Sequence, residues 1–179
     1  LISAAEIKAI KTGVKNIVDF AIKEVYELPV SSGHDYLMKG VLTELVSRIL
    51  KYDEENAPFD IVGLEEHLNV HLMTDNGNSI TLKGIIDRLD QHNGLIRILD
   101  YKTGNDKIQT ADEDNKLFKD PGYKVNLQLM VYALLVSEYY PYLNIPMKAG
   151  IFRMREFDEG IEWLYNNEVI PDERIANFK

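Results

Sequence analysis

Apolar side chains at Ile7, Ile10, Val14, Ile17, Val18, Ala21 and Val25 recur at helical spacing and predict a long amphipathic helix over about residues 3–27. Pro29 and Ser31-Ser32-Gly33 stop it. Leu37, Val41, Leu45 and Ile49 mark a second helix over about 35–51, followed by a polar loop that closes on Pro58. From Ile61 the period changes to two. Val62, Leu64, Leu68, Val70 and Leu72 point one way while Glu65, His67, Asn69 and His71 point the other, which predicts a half-buried strand. A turn at Asp75-Asn76-Gly77-Asn78 leads into a second strand over about 79–90, and Asn93-Gly94, a strong hairpin signal, leads into a third from Leu95.

After Gly104 the chain is polar to about Gly122. Helical spacing then resumes over Tyr123–Tyr140, with Val125, Leu129, Ala133 and Val136 apolar. Met147–Met154 and Ile161–Tyr165 read as strands around a turn at Phe157-Asp158-Glu159-Gly160, and the tail from Pro171 carries no pattern. The order helix, helix, three-strand meander, helix, strand, strand predicts an α/β (α+β-like) domain with a central mixed β-sheet flanked by helices. One domain is expected over 1–179, with 1–34 a helical scaffold and 35–165 the core.

The candidate chemistry lies in the second hairpin. Strand side chains alternate, so Asp100 and Lys102 emerge on one face, and Asp87 ends the partner strand close by. Two carboxylates and one ammonium at the open end of an apolar hairpin suit phosphodiester chemistry. Aspartate oxygens hold Mg2+ or Mn2+, and such an ion polarises a phosphoryl oxygen and activates water. A lysine beside it orients that water, helps deprotonate it, or offsets charge on the phosphorus. The same Asp-x-Lys spacing also describes an ordinary solvated cross-strand pair. As an exposed strand-end residue, Lys102 should matter little to stability. Arg88 and Asp90 read as a structural pair.

The wider pattern narrows the choice. Gly84-x-x-Asp87-Arg88-x-Asp90, the short hairpin, Asp100-Tyr101-Lys102-Thr103-Gly104 and, further on, Gln128-x-x-x-Tyr132 together resemble the RecB-like branch of the PD-(D/E)xK nuclease superfamily over roughly residues 37–155. The resemblance implies a restriction-endonuclease-like core and a metal-dependent DNA exonuclease domain of a RecB- or AddB-type helicase–nuclease that processes double-strand breaks. It implies Asp87, Asp100 and Lys102 as catalytic residues, and Asp87, Asp100 and the backbone carbonyl of Tyr101 as ligands of Mg2+ or Mn2+. It also implies that Gln128 and Tyr132 bind the DNA backbone or steady the lysine. Gly40-x-x-x-Glu44 stands where the family reads Gly-x-x-x-His, so Glu44 is either a fourth metal ligand or a helix-surface partner of Arg48. Glu65 or, in the other register, Glu66 resembles a glutamate of the family's first strand.

Composition adjusts this picture in three ways. The 179 residues, 45% hydrophobic, suffice for a core but contain no apolar run near the roughly 18–20 residues of a membrane span. The first residue is not Met and no basic leader follows, so the chain reads as a piece excised from a longer polypeptide, for which the resemblance implies a cytoplasmic setting with DNA and the other domains or subunits of a helicase–nuclease as partners. There is no cysteine, which excludes disulfides and an iron–sulfur cluster in this segment and counts against a CRISPR-type nuclease of the same branch. The net charge of −9 opposes a generic nucleic-acid binder. It keeps open a catalytically inactive nuclease-fold module for DNA binding or assembly, although such a module has no need of Asp87, Asp100 and Lys102 together.

Overall fold

The computed structural model describes residues 1–26, 33–73, 76–109, 116–141, 145–156 and 160–179. The expected stops at Pro29 and Ser31-Ser32, the turn residue Asp75 and the turn at Phe157-Asp158-Glu159 lie outside them. Two compact units divide after Phe59, later in the chain than the 34/35 boundary read from sequence. Among the described residues no helix is long and apolar enough to cross a membrane.

In the first unit the expected single helix is two, α1 (Ala4–Lys11) and α2 (Val14–Tyr26). Ser3 and Glu6 form a reciprocal capping box at the start of α1. At its end Thr12 Oγ1 donates to the Ala9 carbonyl at 2.7 Å, and Gly13, a poor helix former, follows. Helix α3 runs over Gly33–Glu55, longer than expected, because no breaker precedes Asn56. Val14, Val18 and Ile22 of α2 pack on Leu42, Val46 and Leu50 of α3. This stripe replaces the predicted one, whose Leu37 and Val41 are exposed: both sets share helical spacing, and the partner helix chooses between them. An antiparallel bridge joins Ile2 to Phe59, and Lys11 Nζ lies 2.5 Å from Glu54 Oε2.

The second unit carries one five-stranded sheet in the order β1-β2-β3-β4-β5. Its strands are β1 (Asp60–Met73), β2 (Ser79–His92), β3 (Leu95–Lys102), β4 (Met147–Arg153) and β5 (Ile161–Trp163). The first three form the predicted meander, with Asn93 and Gly94 both at positive φ in the tight turn. Strand β4 pairs parallel to β3, so the sheet is mixed as expected. Strand β5 ends before Tyr165 because Tyr165 and Asn166 turn left-handed.

Helix α4 (Lys124–Tyr139) connects β3 to β4 and is apolar nearly all round. It packs on the sheet through Leu129, Met130, Ala133 and Leu135 together with Leu89, Ile98 and Ile151, and it is covered by Leu164, Ile170 and Ile175. Ile175 belongs to α5 (Asp172–Phe178), a helix in the tail that showed no pattern in sequence. Gly84 is where α4 comes closest to β2. A Cβ there would lie 2.7 Å from Leu135 Cδ1 and 3.1 Å from Tyr132 Cε1. Asp90, fully buried, accepts from Arg88 Nε at 2.7 Å and Arg97 Nε at 2.5 Å, the structural role read for Arg88 and Asp90.

Candidate active site

The β2–β3 ladder runs from His92↔Leu95 to Arg88↔Leu99 and ends there. Strand β2 itself continues, so Asp87 lies within a strand rather than at its end. Just past the last ladder pair, Asp87 uses its side chain where a backbone carbonyl would have served: Oδ2 accepts from the Tyr101 N–H at 2.7 Å. That bond fixes Asp87 beside Asp100 at the point where β2 and β3 part. The Tyr101 ring stacks on Phe152 at 5.4 Å between centroids.

Asp100 is 3% exposed and carries the most constrained carboxylate of the site. Its Oδ1 accepts from Gln128 Nε2 at 2.9 Å, and Lys102 Nζ stands 2.8 Å from its Oδ2. Burial pushes its carboxyl above the usual carboxylate range. The Lys102 ammonium pulls it back, and the charges of Asp87 and Asp106 push it further up. Lys102 is not an exposed strand-end residue: its side chain is 20% exposed and donates to Gln128 Oε1 at 2.9 Å. The exposure from which a small stability effect was expected is thus corrected.

Gln128 is the hub. Its oxygen takes the lysine, while its Nε2 reaches both Asp100 and the Tyr132 hydroxyl, the latter at 2.7 Å. An ammonium has nothing to accept with and a carboxylate nothing to donate, so these partners fix which way the amide faces. Tyr132 accepts from Gln128 and keeps its own proton to donate. Burial first, then the charges of Asp100, Asp87 and Glu65, raises its pKa. Both residues lie on α4, four apart on one face as the sequence indicated.

The other expected residues fall as follows. Glu65 adopts a left-handed conformation (φ 50°) that residues other than glycine rarely take, and it is near enough for its charge to act on Tyr132. Glu66 is taken up by the Tyr140 hydroxyl at 3.1 Å. Glu44 belongs to α3 of the first unit, where its largely exposed carboxylate accepts from Arg48 Nε at 2.7 Å. Arg153 is buried and ion-paired with Glu156 and Glu162, whereas Arg155 is exposed and donates to Asn105 Oδ1 at 3.4 Å. Asn126 escaped the sequence reading: a polar residue on a helix apolar nearly all round, 3% exposed, it was visible as a break in the apolar face.

Asp87 and Asp100 are a pair of hard oxygen donors with no sulfur, the type that suits Mg2+ or Mn2+, and among the described residues no third Asp, Glu or His joins them. Asp100, buried beside a second carboxylate with one ammonium between them, has a charge that a divalent cation would neutralise. The residues therefore fit such an ion.

Residues 8–176 match the family model described as the PD-(D/E)XK nuclease superfamily. An ATP-dependent helicase/deoxyribonuclease subunit from Carboxydothermus hydrogenoformans is 33% identical over 126 residues, 65% of this chain and 11% of that protein. The protein of the same name from Clostridioides difficile is 30% identical over 163 residues, 81% of this chain and 13% of its own length. That from Thermoanaerobacter sp. is 30% identical over 158 residues, 79% and 13% respectively. The chain thus spans 11–13% of the length of the curated relatives it matches.

Proposed function

The chain belongs to the PD-(D/E)XK nuclease superfamily, and from that premise we propose that it is a divalent-metal-dependent deoxyribonuclease. One observation carries the reading: Asp100, Lys102, Gln128 and Tyr132 form one hydrogen-bonded network where β2 and β3 part, and the Tyr101 N–H holds the Asp87 carboxylate beside it. Asp87 and Asp100, with the backbone carbonyl of Tyr101, would hold Mg2+ or Mn2+. When bound, the ion supplies Lewis-acid polarisation of the scissile phosphate and lowers the pKa of its water.

The chain's own residues do the rest. The Tyr101 N–H holds Asp87 in place. Asp100 and Gln128 aim the Lys102 ammonium, which offsets negative charge growing on the phosphate in the transition state. Gln128, with both ends of its amide engaged, steadies the lysine. Tyr132 directs its free hydroxyl proton to a phosphate oxygen and so positions the strand. Glu44, exposed and paired with Arg48 in the first unit, would be the further oxygen ligand that the sequence offers.

We read the whole chain as one nuclease domain of a longer cytoplasmic helicase–nuclease like its relatives, acting as an exonuclease on broken DNA with neighbouring domains or subunits delivering the strand. The catalytically inactive module is the second reading, favoured by the net charge of −9. The test combines Mn2+ titration calorimetry with cleavage of linear DNA. Wild type should bind the ion and cut. The Asp87→Ala, Asp100→Ala double variant should lose binding, and Lys102→Ala should lose about 10²- to 10³-fold in rate. A folded, Mn2+-loaded wild type that leaves DNA intact would pass the reading to the inactive module.

A further inference from the structure

The polypeptide leaving the catalytic strand is tied down by a residue outside the network described above. Asn126 Oδ1 accepts from the Gln109 N–H and its Nδ2 donates to the Gln109 carbonyl, both at 2.9 Å. A single side chain thus pairs with a whole residue of backbone, as a neighbouring strand would. The amide is buried, which makes both bonds costly to lose. The adjacent Ile108 is buried, and its N–H donates to Glu162 Oε1 on β5 at 3.1 Å. Asp106 Oδ1 lies 2.5 Å from Lys124 Nζ, in the first turn of α4.

Residues 102–109 are therefore gripped at both ends by one helix. Gln128 takes Lys102 at the start, and Asn126, two residues earlier on α4, takes Gln109 at the finish. We propose that Asn126 is a positioning residue for Lys102: by pinning the strap that leaves β3 to α4, it fixes the register between strand and helix in which the ammonium sits between Asp100 and Gln128. Asn126 touches neither substrate nor ion and acts only through Lys102. The proposal rests on the nuclease reading, because the lysine's chemistry is what the clamp serves.

Two measurements on the 179-residue chain separate this role from plain scaffolding. The first is amide hydrogen exchange over residues 103–109 in wild type, Asn126→Ala and Asn126→Asp, with thermal melts run alongside. Asn126→Asp keeps the volume and the acceptor for the Gln109 N–H but sets a buried carboxylate oxygen against the Gln109 carbonyl, so it opens the clamp without leaving a cavity and serves if the alanine variant fails to fold. Exchange should rise at least tenfold in Asn126→Ala and in Asn126→Asp alike. The second is a double-mutant cycle on Mn2+-dependent cleavage. Asn126→Ala should lower kcat by about 10²-fold, with KM within twofold of wild type.

In a Lys102→Ala background the same change should cost nothing further, because the group it positions has gone. Equal losses in both backgrounds would make Asn126 scaffold only, and unchanged exchange would remove the clamp. A wild-type chain that binds Mn2+ and cuts nothing would remove the nuclease reading and the positioning role with it. The exchange data would still judge the clamp by themselves.

Discussion

Asp100 is held in a form that the folded metal-free chain disfavours. Burial raises its pKa, and the groups facing it are Asp87 from β2, Lys102 on its own strand, Gln128 and Tyr132 from α4, and Asp106 from the strap. A raised folded-state pKa means that the native chain binds a proton where the unfolded chain has released it. The associated stability is complete below the ordinary carboxylate range and is lost as pH rises through the raised folded value. Ionising Asp100 as pH rises therefore costs the metal-free protein stability. Asp100→Asn should melt higher than wild type in chelator at pH 7–8, at about 2–4 °C per kcal/mol for a chain of this length. The gap should close in acid, and added Mn2+ should raise wild type alone. A variant that melts at or below wild type in chelator would show that the Lys102 pairing outweighs burial. The sequence showed the Asp-x-Lys spacing but not the burial, since exposure depends on α4 lying over the strand and no local pattern reports that.

At the level of elements, the position of α4 depends on the absence of a side chain at Gly84. The Cβ of an alanine there would meet Leu135 Cδ1 and Tyr132 Cε1 at 2.7 and 3.1 Å, so those two packed side chains must give way. Overpacking of this kind costs about 1–3 kcal/mol. Because Tyr132 is one of the residues struck, Gly84→Ala should lower both melting temperature and cleavage. Gly40→Ala is the matched control: it lies within α3 with no heavy atom near its would-be Cβ, and should stabilise by up to about 1 kcal/mol. A Gly84→Ala chain with unaltered melting and rate would refute the close approach. The three-strand meander was legible because alternation and Asn93-Gly94 are local signals. The break at Thr12-Gly13 passed beneath an unbroken apolar spacing. Helix α5 was missed because its seven residues bring only Ile175 and Phe178 to the core, too few to show a period. Which stripe of α3 is buried could not be read either, since only α2 decides between two equally spaced sets.

Taken whole, the molecule carries −9 and approaches a polyanion with its own charge opposed. Each phosphate neutralised by a basic side chain contributes about −0.9 to the slope of log affinity against log salt on duplex DNA. With Lys102 and the exposed Lys107 and Arg155 as the cations available, the slope for this chain should be no steeper than about −3. Binding measured between 50 and 200 mM salt checks this, and a slope of about −5 or steeper would reveal a basic track within the chain. The parallel pairing of β3 with β4 has a consequence of another kind. Gln128 and Tyr132 ride on the helix that crosses between those strands, and that helix is buried by Leu89 and Ile98 from earlier in the chain and by Ala149, Ile151, Leu164, Ile170 and Ile175 from later in it. On the ribosome, every residue of the proposed centre emerges before half of the core that holds its helix. The proposed centre therefore takes its final shape only once that later stretch has emerged.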